Sequence, residues 1–182
     1  MRRLPVGCIS LTSIILASSA VGCNTLAENS TNPVHTDTIM SVVASTPKAS
    51  NSQSIAALEQ SIHQQINEYR KSRNLPPLRL DARISEQARR HSVDMAKISN
   101  LSHDGFDSRV KAIAQSIPYR GAAENVAYNQ GYRDPAQQAV QGWINSSGHQ
   151  KNMVGNYDLT GIGVATNSKG EYYFTQVFIR RR

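Results

Sequence analysis

Three side chains in this 182-residue sequence are of types that do chemistry and sit where chemistry is usually done. His103 follows Leu101-Ser102 in a turn-like run that ends at Gly105. Glu124 opens the stretch Glu124-Asn125-Val126-Ala127-Tyr128. His149 lies just past Gly148 in Trp143 to Met153, W-I-N-S-S-G-H-Q-K-N-M. Each is at an element end, where side chains tend to line clefts. Two histidines and a carboxylate suit zinc with an open position. They equally suit an acid/base pair, with Glu124 as the catalytic group of an enzyme, or a hydrogen-bonded knot that only fixes loops. Spacing alone does not bring them together, and no H-E-x-x-H, nucleophile elbow or phosphate loop accompanies them.

The elements that must position them are legible from periodicity. Ile55, Leu58, Ile62, Ile66 and Tyr69 recur at three and four, which predicts a helix over about 54–73. His63 lies beside that face, and Asn74 to Pro77 ends it. Asp81 caps a second expected helix whose face is Ile84, Ala88, Met95 and Ile98, with His91 on the same side as a packed histidine. Asp107 is expected to cap a shorter helix to about Gln115, and 118–123 to be a connection. Asp134-Pro135 is an N-cap followed by proline at the first helical position. Ala136, Ala139, Val140, Trp143 and Ile144 form its buried stripe, after which Ser-Ser-Gly breaks the helix before His149.

Two strand signals close the chain, Leu159 to Ala165 and Tyr172 to Ile179, joined by a turn at Asn167 to Gly170. Gly161 and Gly163 permit close backbone approach. Helices first and a hairpin last imply an α+β fold with a small antiparallel sheet covered by helices.

The N-terminus reads as an address. Met1-Arg2-Arg3 precedes a short apolar run, Leu4 to Val21, and small residues end at Cys23. Residues 1–22 resemble a bacterial lipoprotein signal, which implies cleavage before a lipid-modified Cys23, a membrane anchor and an extracytoplasmic location. A plain signal of a secreted protein is the alternative. Residues 23–52, rich in Ser, Thr and Asn, bury too little apolar surface to offset ordering entropy and are expected to form a disordered tether. The folded domain is expected over 53–182. Cys8 and Cys23 are the two cysteines, so the body has no disulfide framework.

The formal charge of +7 becomes +5 once Arg2 and Arg3 leave with the signal. That balance favours acidic surfaces. No nucleic-acid signature accompanies it, and no nucleic-acid partner is expected. Arg180 to Arg182 reads as a solvated tail, and the protein as a monomer.

Six pieces in order resemble the CAP superfamily (cysteine-rich secretory proteins, antigen 5, pathogenesis-related group one), also called the SCP domain, in its cysteine-free bacterial branch. They are Ile66-Asn67-Glu68-Tyr69-Arg70 through Leu78, the Ala88 to Ala96 run, Leu101-Ser102-His103, Ala123-Glu124-Asn125-Val126-Ala127, Trp143 to Met153, and the pair Gly161 to Val164 with Thr175 to Phe178. The resemblance implies an α-β-α sandwich with His103, Glu124 and His149 converging at a central cleft. Many members hold two histidines and two glutamates there, and the histidines can bind zinc or another divalent metal. This sequence departs at the second glutamate, where Asn145-Ser146-Ser147 offers no carboxylate. A metal would then rest on His103, His149, Glu124 and water. The functions that follow are a binding module for a lipid-like or glycan ligand, a metal-dependent hydrolase of peptides or esters, or an envelope adhesion domain.

Overall fold

A computed structural model describes residues 54–182. The signal and tether expectations for 1–22 and 23–52, Cys23 included, lie outside the described residues. The elements run α1 (Ile55–Ser72), β1 (Arg79–Leu80), α2 (Ala82–Ile98), α3 (Phe106–Ala114), β2 (Tyr119–Gln130), α4 (Pro135–Asn145), α5 (Ser147–Met153), β3 (Leu159–Thr166) and β4 (Glu171–Arg181).

The four strands form one sheet in the order β1-β3-β4-β2. The β3–β4 and β4–β2 pairings are antiparallel, and only the two-residue β1 runs parallel to its neighbour. One face of the sheet carries Ile162, Val164, Phe174 and Phe178 against Leu58, Ile62 and Ile66 of α1 and Ala136, Val140 and Trp143 of α4. The other carries Leu159, Val177 and Ile179 against Ile84 and Ala88 of α2 and Ile113 of α3. This is the expected α-β-α layering: strand side chains alternate sides, so each face needs its own apolar cover.

On β3 the alternation is completed by glycine. A Cβ at Gly161 would fall inside the backbone of Ile84 and Ser85, and one at Gly163 inside that of Ala88 and Arg89. The missing side chains let α2 lie directly on the strand. Ser92 Oγ then donates to the Gly163 carbonyl at 2.9 Å, and Ser85 Oγ accepts from Ile162 N at 3.2 Å.

Several local expectations hold. The first helix spans Ile55–Ser72, close to the expected 54–73, and Ser54 Oγ caps it through Ala57 N. Asp81 caps α2 through Arg83 N. Asp134 caps α4 through Gln137 N, with Pro135 in the first turn. The Asn167 to Gly170 turn joins β3 to β4, with Asn167 Oδ1 accepting from Lys169 N. Arg70, in the last turn of α1, is 1% exposed. Its guanidinium donates to the carbonyls of Pro76, Met153 and Gly155 at 2.9, 2.8 and 3.0 Å, tying the exit of α1 to the end of α5.

Five expectations are corrected. Residues 118–123 are largely strand, not connection: Arg120-Gly121-Ala122-Ala123 shows no alternation, and pairing with β4 supplies the order. Ile98 is 67% exposed; at about 100° per residue it falls on the rim of a stripe centred on Ala88, Ser92 and Met95. Asp107 does not cap α3; Gly105, at φ 73, does, and Asp107 sits in the first turn, where a carboxylate suits the helix dipole. The Ser-Ser-Gly run breaks the helix for only one residue, Ser146, after which α5 begins and carries His149. Arg180 and Arg181 extend β4, and Arg181 pairs with Asp158, so they are not a loose tail.

Candidate functional site

The site is built on the outer edge of the sheet. β2 has a strand partner only on its β4 side, so alternate carbonyls along its other side need hydrogen-bond donors from elsewhere. Two side chains supply them. Trp143 Nε1 donates to the Val126 carbonyl at 3.0 Å, and Asn152 Nδ2 donates to the Glu124 carbonyl at 3.2 Å. Asn125, fully buried, completes the lock: its Nδ2 donates to the carbonyl of His149 at 3.1 Å, and its Oδ1 accepts from Asn152 at 2.9 Å. The residues around Glu124 and those around His149 are therefore two halves of one joint between β2 and the α4–α5 corner. Asn125 serves that joint.

His103 reaches the same place from the other side. His91, buried on α2, donates from Nε2 to the Ser102 carbonyl at 2.8 Å and pins the loop. His103 Nδ1 then donates to Glu124 Oε1 at 3.0 Å. In the neutral ring that bond fixes the tautomer, with Nε2 as the lone-pair nitrogen. The His103 side chain is 54% exposed, whereas that of Glu124 is 2% exposed.

The carboxylate of Glu124 has a second partner that sequence reasoning missed. Arg109 on α3 donates from Nε to Oε2 at 2.9 Å and from Nη2 to Oε1 at 2.7 Å, a bidentate grip. Its Nη1 donates to the Asp104 carbonyl at 2.6 Å, so the same guanidinium holds the His103 loop. Nothing in the sequence signalled this: a single arginine inside a helix resembles a surface charge. Asn152 was also passed over, although it is the last polar residue of the quoted Trp143 to Met153 motif.

His149 stands apart from the carboxylate. Its Nδ1 is buried without a hydrogen-bond partner. Burial, and secondarily the charge of His103, lowers its pKa below the ordinary imidazole value. It lines a cleft of about 270 Å³ whose other walls include Leu101, Val126, Tyr128, Trp143 and Ser146. His103 and Glu124 are not among the lining residues; the open space belongs to His149, to Asn129, Gln138 and Ser146, and to a larger apolar wall.

This geometry does not suit the expected metal set. Both oxygens of Glu124 are engaged by Arg109 and one also by His103, which removes the carboxylate as a ligand. Among the described residues no three His, Cys, Asp or Glu side chains are placed to hold a metal ion. The three-residue set does not fit a metal as it stands.

Residues 63–178, well over half the chain, match the sequence profile described as CAP: Cysteine-rich secretory protein family. The chain belongs to the CAP family. YkwD of Bacillus subtilis is 34% identical over 132 residues, 69% of this chain and 48% of that protein. YlbC of the same organism, described as a membrane protein, is 35% identical over 143 residues, 74% of this chain and 39% of that protein. The chain thus spans less than half the length of these relatives. Among solved structures, an extracellular protein containing an SCP domain from Bacillus anthracis has a TM-score of 0.55 and 31% identity, covering 70% of this chain and 43% of that one. An outer surface protein of Borrelia burgdorferi shares the fold at a TM-score of 0.63 and 19% identity, covering 71% of this chain and 97% of that one. The CAP domain of this chain is thus the layered α+β fold that its motif order implied. Among the described residues no helix is long and apolar enough to cross a membrane.

Proposed function

We propose that this CAP domain acts outside the cytoplasm as a binding module whose cleft takes a slender, lipid-like ligand. The observation that carries this reading is the division of the site. The acid/base carboxylate is held in a three-way bond with Arg109 and His103, while the open space beside it is walled by Leu101, Val126, Tyr128 and Trp143. A hydrolase would need Glu124 able to accept a proton from water. Here both of its oxygens already accept, and its surface is closed. The cleft lies just under the range of about 300–1,000 Å³ usual for small-molecule sites. That suits one chain segment of a ligand rather than a whole bulky molecule. His149 and Ser146, with Asn129 and Gln138, are the polar groups that would meet its head.

The extracytoplasmic placement is supported by the small-residue run ending at Cys23 and by relatives described as extracellular or outer-surface proteins. In this reading Cys23 carries the lipid and residues 23–52 hold the domain away from the membrane. Metabolic labelling with an alkynyl fatty acid, lost in Cys23→Ala, tests the anchor. A free secreted product would overturn it.

Trp143 is the one tryptophan of the chain and lines the cleft, so its fluorescence reports occupancy directly. Titration with a medium-chain fatty acid is expected to give a saturable change. Gly142 also lines the cleft, and a Cβ there meets nothing within 4 Å. Gly142→Leu should therefore fill the space without harming α4, and should abolish the signal. Glu124→Gln should leave it. Ester or peptide turnover that disappears in Glu124→Gln would replace this reading with the hydrolase.

A further inference from the structure

The charge of the domain is not spread evenly. From Ser54 to Arg182 the sequence has 17 Lys and Arg against 11 Asp and Glu. Six of these arginines gather at one end of the sheet. Arg79 begins β1, Arg120 lies at the start of β2, and Arg180, Arg181 and Arg182 end β4 and the chain after it. Arg83, in the first turn of α2, joins them by donating to the Ser116 carbonyl at 3.1 Å.

Hydrogen bonds show that they are neighbours. Arg79 N donates to the Asp158 carbonyl, and Arg181 N donates to Asp158 Oδ1 at 2.9 Å. Arg182 N donates to the Pro118 carbonyl, and its Nε to that of Tyr119 at 3.2 Å. Two carboxylates of the described residues sit among them, and both are engaged: Asp81 with Arg83 and Asp158 with Arg181. The excess here is four positive charges, whereas the rest of the domain has 11 cations against nine carboxylates. Five of the six side chains are exposed. The sixth, Arg180, has a buried Nε with no hydrogen-bond partner. A shallow cavity of about 520 Å³ opens between Arg120 and Arg182, over Ala114, Pro118 and Tyr119.

We propose that this end of the sheet is a docking face for an acidic polysaccharide. The cations cross the strand ends from β1 to β2, three strand spacings of about 4.8 Å each, so they form a line roughly 15 Å long. A line of fixed charge matches a linear polyanion better than a single small anion. The residues are arginines, whose planar fork pairs carboxylates two bonds at a time. Leu80, 40% exposed, is the one large apolar side chain exposed at this end among the described residues, so the face lacks the anchors with which a protein enters a bilayer. The exposed aromatic rings, Tyr128 and Tyr132, lie at and beyond the other end of β2, and Tyr119, the one ring lining the cavity, is half-buried, so the face does not present a row of open rings for bases to stack on. Arg120 and Tyr128 are eight residues apart along β2, roughly 27 Å, which separates this face from the cleft. The two can be occupied independently.

The test is calorimetric titration of the full mature chain with polygalacturonate across a salt series. Arg120→Gln/Arg182→Gln is expected to weaken binding at least tenfold. It should also flatten the slope of log K against log salt by up to about two, as two fewer contacts release counterions. Lys97→Gln/Arg133→Gln changes net charge equally at exposed sites away from this face and should shift affinity less than twofold. Arg120→Lys/Arg182→Lys should keep most of the slope, which guards against a merely misfolded Gln variant. Equal weakening by the two Gln pairs would overturn the proposal, because binding would then follow net charge alone. So would tighter binding of phosphatidylglycerol vesicles or single-stranded DNA through the same arginines at the same salt.

Discussion

Arg109 and Glu124, fifteen residues apart in sequence, form a bidentate pair in which the arginine side chain is 10% exposed and the carboxylate 2%. The pair, not either residue alone, sets the orientation of His103. Removing the guanidinium leaves a buried carboxylate without its counter-charge, and breaking such a pair is strongly destabilising, by about 3–5 kcal/mol. Arg109→Ala should therefore lower stability more than Glu124→Gln, which leaves Arg109 able to reach carbonyls of the His103 loop. Urea midpoints of the two variants check this. The reverse order would mean the pair contributes little beyond the loop contacts.

Zinc titration follows from the same relationship. With Glu124 engaged, calorimetry on the wild-type chain should show no stoichiometric zinc binding that depends on all three of His103, Glu124 and His149. Loss of a tight isotherm in each of the three single Ala or Gln variants would show that Arg109 releases the carboxylate and that the metal set does assemble.

Trp143 is both core and clamp. It is 1% exposed, and its indole N–H takes the Val126 carbonyl on the open edge of β2. Trp143→Ala should destabilise by roughly 3–5 kcal/mol. Trp143→Phe keeps most of the packing but leaves that carbonyl without its donor, so it should cost about 1–3 kcal/mol. Hydrogen exchange would separate the two effects, with amides of Glu124 to Tyr128 losing protection in both variants. Unchanged protection there would sink the clamp.

Gly163→Ala adds one methyl and should still be severe. The added carbon would meet the backbone of Ala88 and Arg89, which cannot rotate away as a side chain could. A loss of about 1–3 kcal/mol or more is expected. Gly142→Ala, facing open space, serves as the comparison and should be neutral or stabilising.

Acid should weaken the fold before its carboxylates titrate. Burial lowers the pKa of His91, and burial followed by the charge of His103 lowers that of His149. The unfolded chain takes up protons on these rings near the usual value of about 6.5, and the folded chain only below it. In that window the unfolded state binds more protons, so the histidine contribution is complete above about pH 6.5 and is lost as the pH falls through the lowered values. Urea midpoints between pH 7.5 and 5 should fall, and His91→Gln with His149→Gln should flatten the curve. A flat wild-type profile would contradict the burial of these rings.

Much of this was written locally. The caps at Ser54, Asp81 and Asp134, the apolar stripes, and the glycines of β3 each follow from interactions among near neighbours or from a missing Cβ. A single chain therefore displays them. The ordered motifs also pointed to the CAP layering, and the structure has it.

Other features came only from residues far apart in sequence. Residues 119–123 are strand because β4 pairs with them, not because of their own side chains. Arg109 looks like a surface charge until α3 turns it onto Glu124. His103, Glu124 and His149 are 21 and 25 residues apart, and no periodicity says which of them meet. Folding bonded the first two and put the third beside an apolar cleft. In the sequence the arginines at positions 79, 83 and 120 read as scattered charge and those at 180–182 as a separate tail, because a sheet end gathers strand termini without regard to chain distance. The sequence determined which residues could be buried, capped or charged. The tertiary structure decided which carboxylate and guanidinium share the desolvated space, because that choice depends on contacts that only a closed sheet and its two helical layers create.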